Sequence, residues 1–188
     1  MRDAAKPHRK RMAIPGHARY LTFSCFHNQR FLSRDRTRRW LLERLDELHQ
    51  EGSFDLWAYV IMPEHCHLLI RPNDPGLVSS LLCRLKKSVA NRAVAWVRQN
   101  HPLSLSAMLD VQPNGRKCFR FWQRNGGYDR NLFSPAEVRE KIDCIHANPV
   151  RRGLVCRPQD WPWSSYLAWS TGQDLPIGID RHTVPLLR

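Results

Sequence analysis

The chain has 188 residues, enough for one domain with a real core and hardly for two, and its 30 lysines and arginines against 17 acids give a net charge of +13 and a pI near 10.2. An excess of that size calls for a polyanionic partner, nucleic acid ahead of an anionic membrane surface. No apolar run approaches the roughly 20 residues of a spanning helix, and the N-terminal stretch MRDAAKPHRKRMAIPGH lacks the apolar core of a signal peptide, so the expectation is a cytoplasmic protein with no membrane partner.

Residues 1–17 read as a basic, flexible arm carrying Arg2, Lys6, Arg9, Lys10 and Arg11. In the following stretch, ARYLTFSCF, Leu21, Phe23 and Cys25 alternate with Tyr20, Thr22 and Ser24, the period of a first strand. Ser33 is a candidate N-cap for the helix RDRTRRWLLERLDELHQ, whose Leu41, Leu45 and Leu48 share one face and whose stop is Gly52.

Next comes FDLWAYVIMPEHCHLLIR, two strand-like apolar runs flanking Met62-Pro63-Glu64, which predicts a β-hairpin over residues 54–71. Side chains two apart on a strand share a face, so His65 and His67 project together while Cys66 points into the opposite layer. Two imidazoles on one face can hold a divalent metal; the plainer reading of an isolated H-x-H is a pair of strand histidines satisfied by neighbouring acceptors.

After the turn PNDPG, residues 77–99 predict a long helix with Val78, Leu81, Leu82, Leu85, Val89 and Trp96 inward. Its outer face carries Arg84, Lys86, Lys87, Arg92 and Arg98, which reads either as a solvated face or as a guide for a phosphate backbone. Residues 102–117 predict a loop, and KCFRFWQ a fourth strand. Asn125-Gly126-Gly127 predicts a turn. Ser134-Pro135-Ala136-Glu137 combines an N-cap, a first-turn proline and a capping-box glutamate, opening a helix expected to bury Val138, Ile142 and Ile145 and to end before Pro149. The order is β-α-β-β-α-β plus an added helix. It predicts an α+β, ferredoxin-like antiparallel sheet with helices packed on one face. Trp161, Trp163 and Tyr166 in DWPWSSY are expected to pack a C-terminal segment onto the body rather than to stack bases, leaving residues 171–188 as a tail. The six cysteines form no C-x-x-C pair, so no zinc ribbon is written here and reduced thiols are expected.

Four blocks in this order and spacing, PEHCHLLI, FWQRNGGYDRN, IHANPVRRGLV and DWPWSSY, resemble the REP-associated tyrosine transposases. These are relatives of the insertion-sequence-200-like transposases and belong to the HUH single-strand endonucleases. The resemblance covers residues 18–170, and it implies a ferredoxin-like catalytic domain acting on single-stranded or hairpin DNA at the nucleoid. It also implies metal-assisted transesterification through a covalent phosphotyrosine, with Mg²⁺ or Mn²⁺ held by His65, His67 and Asn148. Family members act as monomers or dimers, so a homodimer stays open.

The family pattern places its tyrosine four residues before Asn148, where this chain has Cys144. The nucleophile is therefore either Tyr128, which follows a flexible Gly-Gly step, or Cys144 itself. Arg130, Arg151 and Arg152 join Lys86, Lys87 and Arg92 as candidate DNA contacts. The alternative is a decayed or repurposed relative that binds structured single-stranded DNA without cleaving it. An RNA-recognition motif shares the strand order but would need a run of aromatics with glycines that no strand here has, and a zinc deaminase would need an absent P-C-x-x-C.

Overall fold

A computed structural model describes residues 14–124, 127–173 and 176–186. Residues 1–13 of the expected arm, and Asn125 and Gly126 of the expected turn, lie outside the described residues. The chain runs β1 (Ala18–Ser24), α1 (Asp35–Gln50), β2 (Phe54–Ile61), β3 (His65–Pro72), α2 (Val78–Asn100), β4 (Leu109–Val111), β5 (Lys117–Phe119), β6 (Tyr128–Leu132), α3 (Pro135–Arg151) and α4 (Tyr166–Thr171). Its main sheet is antiparallel throughout, in the order β2-β3-β1-β6. That is the ferredoxin-like arrangement.

The alternation in β1 divides the protein into two layers. Leu21, Phe23 and Cys25 bury with Leu41, Leu45 and Leu48 of α1 and Leu82, Leu85 and Val89 of α2 on one face. Each such side chain, once buried, contributes about 1.5–3 kcal/mol through loss of apolar surface from water. The added helix, α3, covers the other face, where Val138, Ile142 and Ile145 meet Ala58, Val60 and Leu69. A bulge between Leu56 and Ala58 shifts the phase of β2, so that Leu56, Tyr59 and Ile61 face the first layer while Trp57 and Val60 face the second.

Several expectations change. The fourth strand of the sheet is YDRNL, not KCFRFWQ: Lys117–Phe119 pairs instead with Leu109–Val111, and the consecutive aromatics Phe121 and Trp122 are both buried, which no period of two allows. β6 escapes hydrophobic pattern reading because Leu132 is its one apolar anchor and its inner face carries Asp129, paired with Arg19. Helix α3 runs through Pro149 to Arg151, since a proline in the last turn sacrifices a single backbone bond and its ring is buried. Trp96 is only half-buried, lying beneath the Arg36 guanidinium at 3.3 Å, and Ala93 takes the inward place.

The exposed edge of β2 is sealed by the C-terminal segment. Ile61 N donates to Trp163 O at 2.8 Å, Ser165 N to Tyr59 O at 3.0 Å and Asp180 N to Leu56 O at 2.9 Å. The tryptophan cluster is thus structural, and Ile177, Ile179 and Val184 of the expected tail are part of the core. Among the described residues, no helix is long and apolar enough to cross a membrane.

Candidate active site

The register of the sheet builds the site. Thr22 on β1 stands between His67 on β3 and Tyr128 on β6, and Ser24 stands opposite His65, so all five side chains share the α3 face. Cys66 between the histidines is fully buried in the opposite layer, as its parity requires.

The histidine rings meet edge to face, with Nε2 of His65 3.0 Å from Nε2 of His67. His65 Nδ1 lies 3.1 Å from Glu64 Oε1, and a carboxylate oxygen can only accept, so Nδ1 carries the hydrogen and Nε2 presents a lone pair. Glu64 is in turn held by Arg152 at 2.8 Å. His67 Nδ1 lies 2.8 Å from both Tyr20 OH and Thr22 Oγ1. Hydroxyls can donate or accept, so His67 can carry its hydrogen on Nε2, bonded to His65, or on Nδ1, leaving two lone pairs converging. Burial pushes the pKa of His65 down, against the pull of Glu64, and pushes that of His67 down to about 3. Both rings are therefore neutral at physiological pH, the state in which imidazole binds a metal.

The donor set fits a divalent cation. Two cis ligands at about 2.1 Å from an octahedral ion stand about 3.0 Å apart, the spacing of the two Nε2 atoms. A hydrogen bond from each Nδ1 to an oxygen is the usual way a ligating histidine is oriented. Among the described residues, no three His, Cys, Asp or Glu side chains form a group that could hold a metal, so a third ligand from these residues would be of another type. Asn148 is the candidate: half-buried on α3, it makes no side-chain hydrogen bond among the described residues. It is not the helix cap but sits a turn inside the end, where its carbonyl accepts from Arg152 N at 3.0 Å.

Cys144, Asn148 and Arg152 are spaced four apart and form one stripe on α3, which Arg152 anchors to the hairpin through Glu64. Cys144 is half-buried and near enough to Tyr20 and Lys141 to affect both electrostatically. Tyr128 opens β6 with 55% of its surface exposed, and its ring packs edge-on against Tyr20 at 6.1 Å. Arg130 lies across from Tyr20 on the same face and pairs with Glu137, while Arg151 is exposed at the end of α3.

Lys86, Lys87 and Arg92 are not part of this constellation. Helix α2 packs on the opposite face of the sheet; Lys86 and Lys87 line a groove there with Phe119 and Trp122, and Arg92 pairs with Glu43 of α1. Sequence reasoning missed Glu64 and Thr22, and it placed Tyr20 on the first strand, free to face DNA, without linking it to the histidines. The available signals were the glutamate immediately before the first histidine and the shared parity of Tyr20 and Thr22.

No protein-family model matches the sequence. A Haemophilus influenzae protein assigned as a REP-associated tyrosine transposase is 26% identical over 140 residues, covering 70% of this chain and 74% of that protein. The REP-associated tyrosine transposase of Escherichia coli is 26% identical over 121 residues, covering 64% of this chain and 59% of that protein. The structure of a REP-associated tyrosine transposase, solved bound to a REP hairpin, superposes with a TM-score of 0.66 at 20% identity, covering 94% of this chain and 93% of that one, and this likeness shows the fold. The two curated proteins agree with the family that the four sequence blocks point to, and the chain is similar in sequence to the REP-associated tyrosine transposases.

Proposed function

We propose that the protein binds hairpin DNA and cleaves and rejoins the adjoining single strand by metal-assisted transesterification. The observation that carries this reading is the convergence of His65 Nε2 and His67 Nε2 at 3.0 Å, with both Nδ1 atoms engaged by oxygens on the far side. Those two nitrogens and the side-chain amide oxygen of Asn148 would hold the ion. When bound, Mg²⁺ or Mn²⁺ supplies polarisation of the scissile phosphate and neutralises charge that builds on it.

Tyr128 is the nucleophile we favour, because it is the exposed tyrosine on the face of the histidines. Its oxygen attacks phosphorus, its proton goes to solvent, and the bond from phosphorus to the 3′ oxygen breaks. The products are a 5′-phosphotyrosine and a free 3′-hydroxyl. One phosphoester replaces another, so the reverse attack by a 3′-hydroxyl rejoins the strand without an external energy source. Arg130 and Arg151 contact the backbone around the site, and a DNA substrate places the working protein at the nucleoid in the cytoplasm. Residues 18–170 constitute the catalytic domain in this reading.

Cys144, standing where the related enzymes carry their tyrosine, favours a second reading: the protein binds structured single-stranded DNA and no longer cuts it. A covalent-adduct assay decides. Single-stranded oligonucleotides taken from the gene's flanks and able to fold as hairpins are mixed with the protein and Mn²⁺ and run on a denaturing gel. An adduct in the wild type that disappears in Tyr128→Phe and His65→Ala, and persists in Cys144→Ala, establishes the first reading. An adduct formed by Cys144→Tyr and not by the wild type establishes the second.

A further inference from the structure

Beside His65, between the turn that follows β1 and the end of α3, lies a cavity of about 640 Å³ lined by Asn28, Arg30, Pro63, Arg152 and Leu154. Its volume falls within the roughly 300–1,000 Å³ typical of small-ligand sites. Pro63 and Leu154 give it an apolar surface. Arg30 and Arg152 supply guanidinium groups, and Asn28 an amide with a donor and an acceptor side by side. The carboxylate in its wall, Glu64, is already engaged by His65 and Arg152. The lining therefore suits a ligand with an anionic part and a flat, polar-edged part.

The backbone that delivers Asn28 is strained. His27 and Asn28 are consecutive non-glycine residues in the left-handed region, at φ 50° and 54°. Each costs about 1 kcal/mol, and such outliers persist where surrounding contacts over-determine them. Those contacts are present: Asn28 N donates to Cys25 O at 3.0 Å, His27 N to Gln123 Oε1 at 3.0 Å, and the flanking Cys25 N and Leu32 N to Glu64 O and Pro63 O at 2.7 and 2.9 Å. The turn is thereby fixed to the tip of the hairpin that carries His65. Arg30 forms no ion pair among the described residues, leaving its guanidinium available.

We infer that this cavity seats the unpaired nucleotide adjoining the scissile phosphate, with Asn28 reading the base edge and Arg30 and Arg152 holding its phosphate. The inference rests on the reading of His65 and His67 as the phosphate site and adds the element that chooses where the strand is cut. An amide meets the N6 and N7 edge of adenine with two hydrogen bonds, so adenine is the base that this site prefers.

The test needs neither a known hairpin nor catalysis. The ¹⁵N-labelled full chain is titrated with dAMP and with deoxyribose 5-phosphate, which lacks the base, and binding is followed by amide chemical shifts. The expected result is shifts centred on Asn28, Arg30, His65 and Leu154, with dAMP binding about tenfold more tightly than the sugar phosphate, as a bidentate base contact implies. Asn28→Gly keeps the left-handed backbone and removes the amide; it should erase the difference between the two ligands, while Arg30→Ala weakens both. Equal affinity of wild type for the two ligands, or shifts centred elsewhere, overturns the proposal. Localised, base-dependent binding without a covalent adduct upholds the cavity and removes the strand-transfer reading. An adduct without localised dAMP binding does the reverse.

Discussion

Arg152 and Glu64 pair at 2.8 Å across the gap between α3 and the hairpin, and Glu64 is the residue that orients His65. With 13% of its side chain exposed, Glu64 sits in surroundings where a carboxylate fixes a ring more firmly than water would. Glu64→Ala should lower Mn²⁺ affinity by about 10–100-fold, whereas Glu64→Gln, whose amide oxygen still accepts from Nδ1, should lose less. Mn²⁺ titration by electron paramagnetic resonance measures both. Three equal affinities would mean that the strand alone orients His65.

The bidentate pair between Arg19 and Asp129 joins β1 to β6 with 4% and 2% of the two side chains exposed. Asp129→Ala takes a bidentate carboxylate away from a buried guanidinium and should destabilise the fold by about 3–5 kcal/mol, read from the urea unfolding midpoint. A loss below about 1 kcal/mol, the scale of a solvated surface pair, would show that water reaches the guanidinium.

The sheet was legible in the sequence wherever one face is apolar. The β1 alternation, the hairpin and the shared face of the histidines follow from a period of two, and the start of α3 from its capping box. What escaped reading has physical causes. β6 is held by an ion pair and a close backbone approach, neither of which leaves a hydrophobic pattern. The basic face of α2 could be read from helical spacing, but which side of the sheet it would occupy could not, because that depends on two layers whose assignment needs the fold. Thr22 was hidden because one polar residue in a strand looks like any other until its neighbour across the sheet is known, and Glu64 because a carboxylate in a hairpin turn does not announce which side chain it holds.

His146 is buried on α3, its Nε2 2.9 Å from Ser165 Oγ, and burial pushes its pKa down to about 4. The unfolded ring takes up a proton near pH 6.5, so between about 6.5 and 4 the unfolded chain binds more protons and stability falls as pH is lowered. The loss attributable to His146 should be complete near pH 4 and approach roughly 3 kcal/mol. His67, depressed further, acts in the same direction. Unfolding curves for wild type and His146→Gln at pH 7.5 and 4.5 should show a shallower acid dependence in the variant. Parallel dependences would place the acid sensitivity elsewhere.

Gly127 precedes Tyr128, has φ +87°, and approaches β1 so closely that a Cβ there would fall 1.9 Å from the carbonyl oxygen of Thr22. The obstacle is backbone, not a side chain that can rotate, so Gly127→Ala must push the start of β6 away from β1 and carry Tyr128 with it. Gly153 is the control: its φ is also positive, at +65°, but a Cβ there meets nothing within 4 Å. Gly153→Ala should cost only the left-handed penalty of about 1–2 kcal/mol, and Gly127→Ala distinctly more. Because His65 and His67 lie on β3, Gly127→Ala should retain Mn²⁺ binding while losing DNA adduct formation. Wild-type adduct yield in Gly127→Ala would count against Tyr128 as the nucleophile, which would then have to be sought at Cys144.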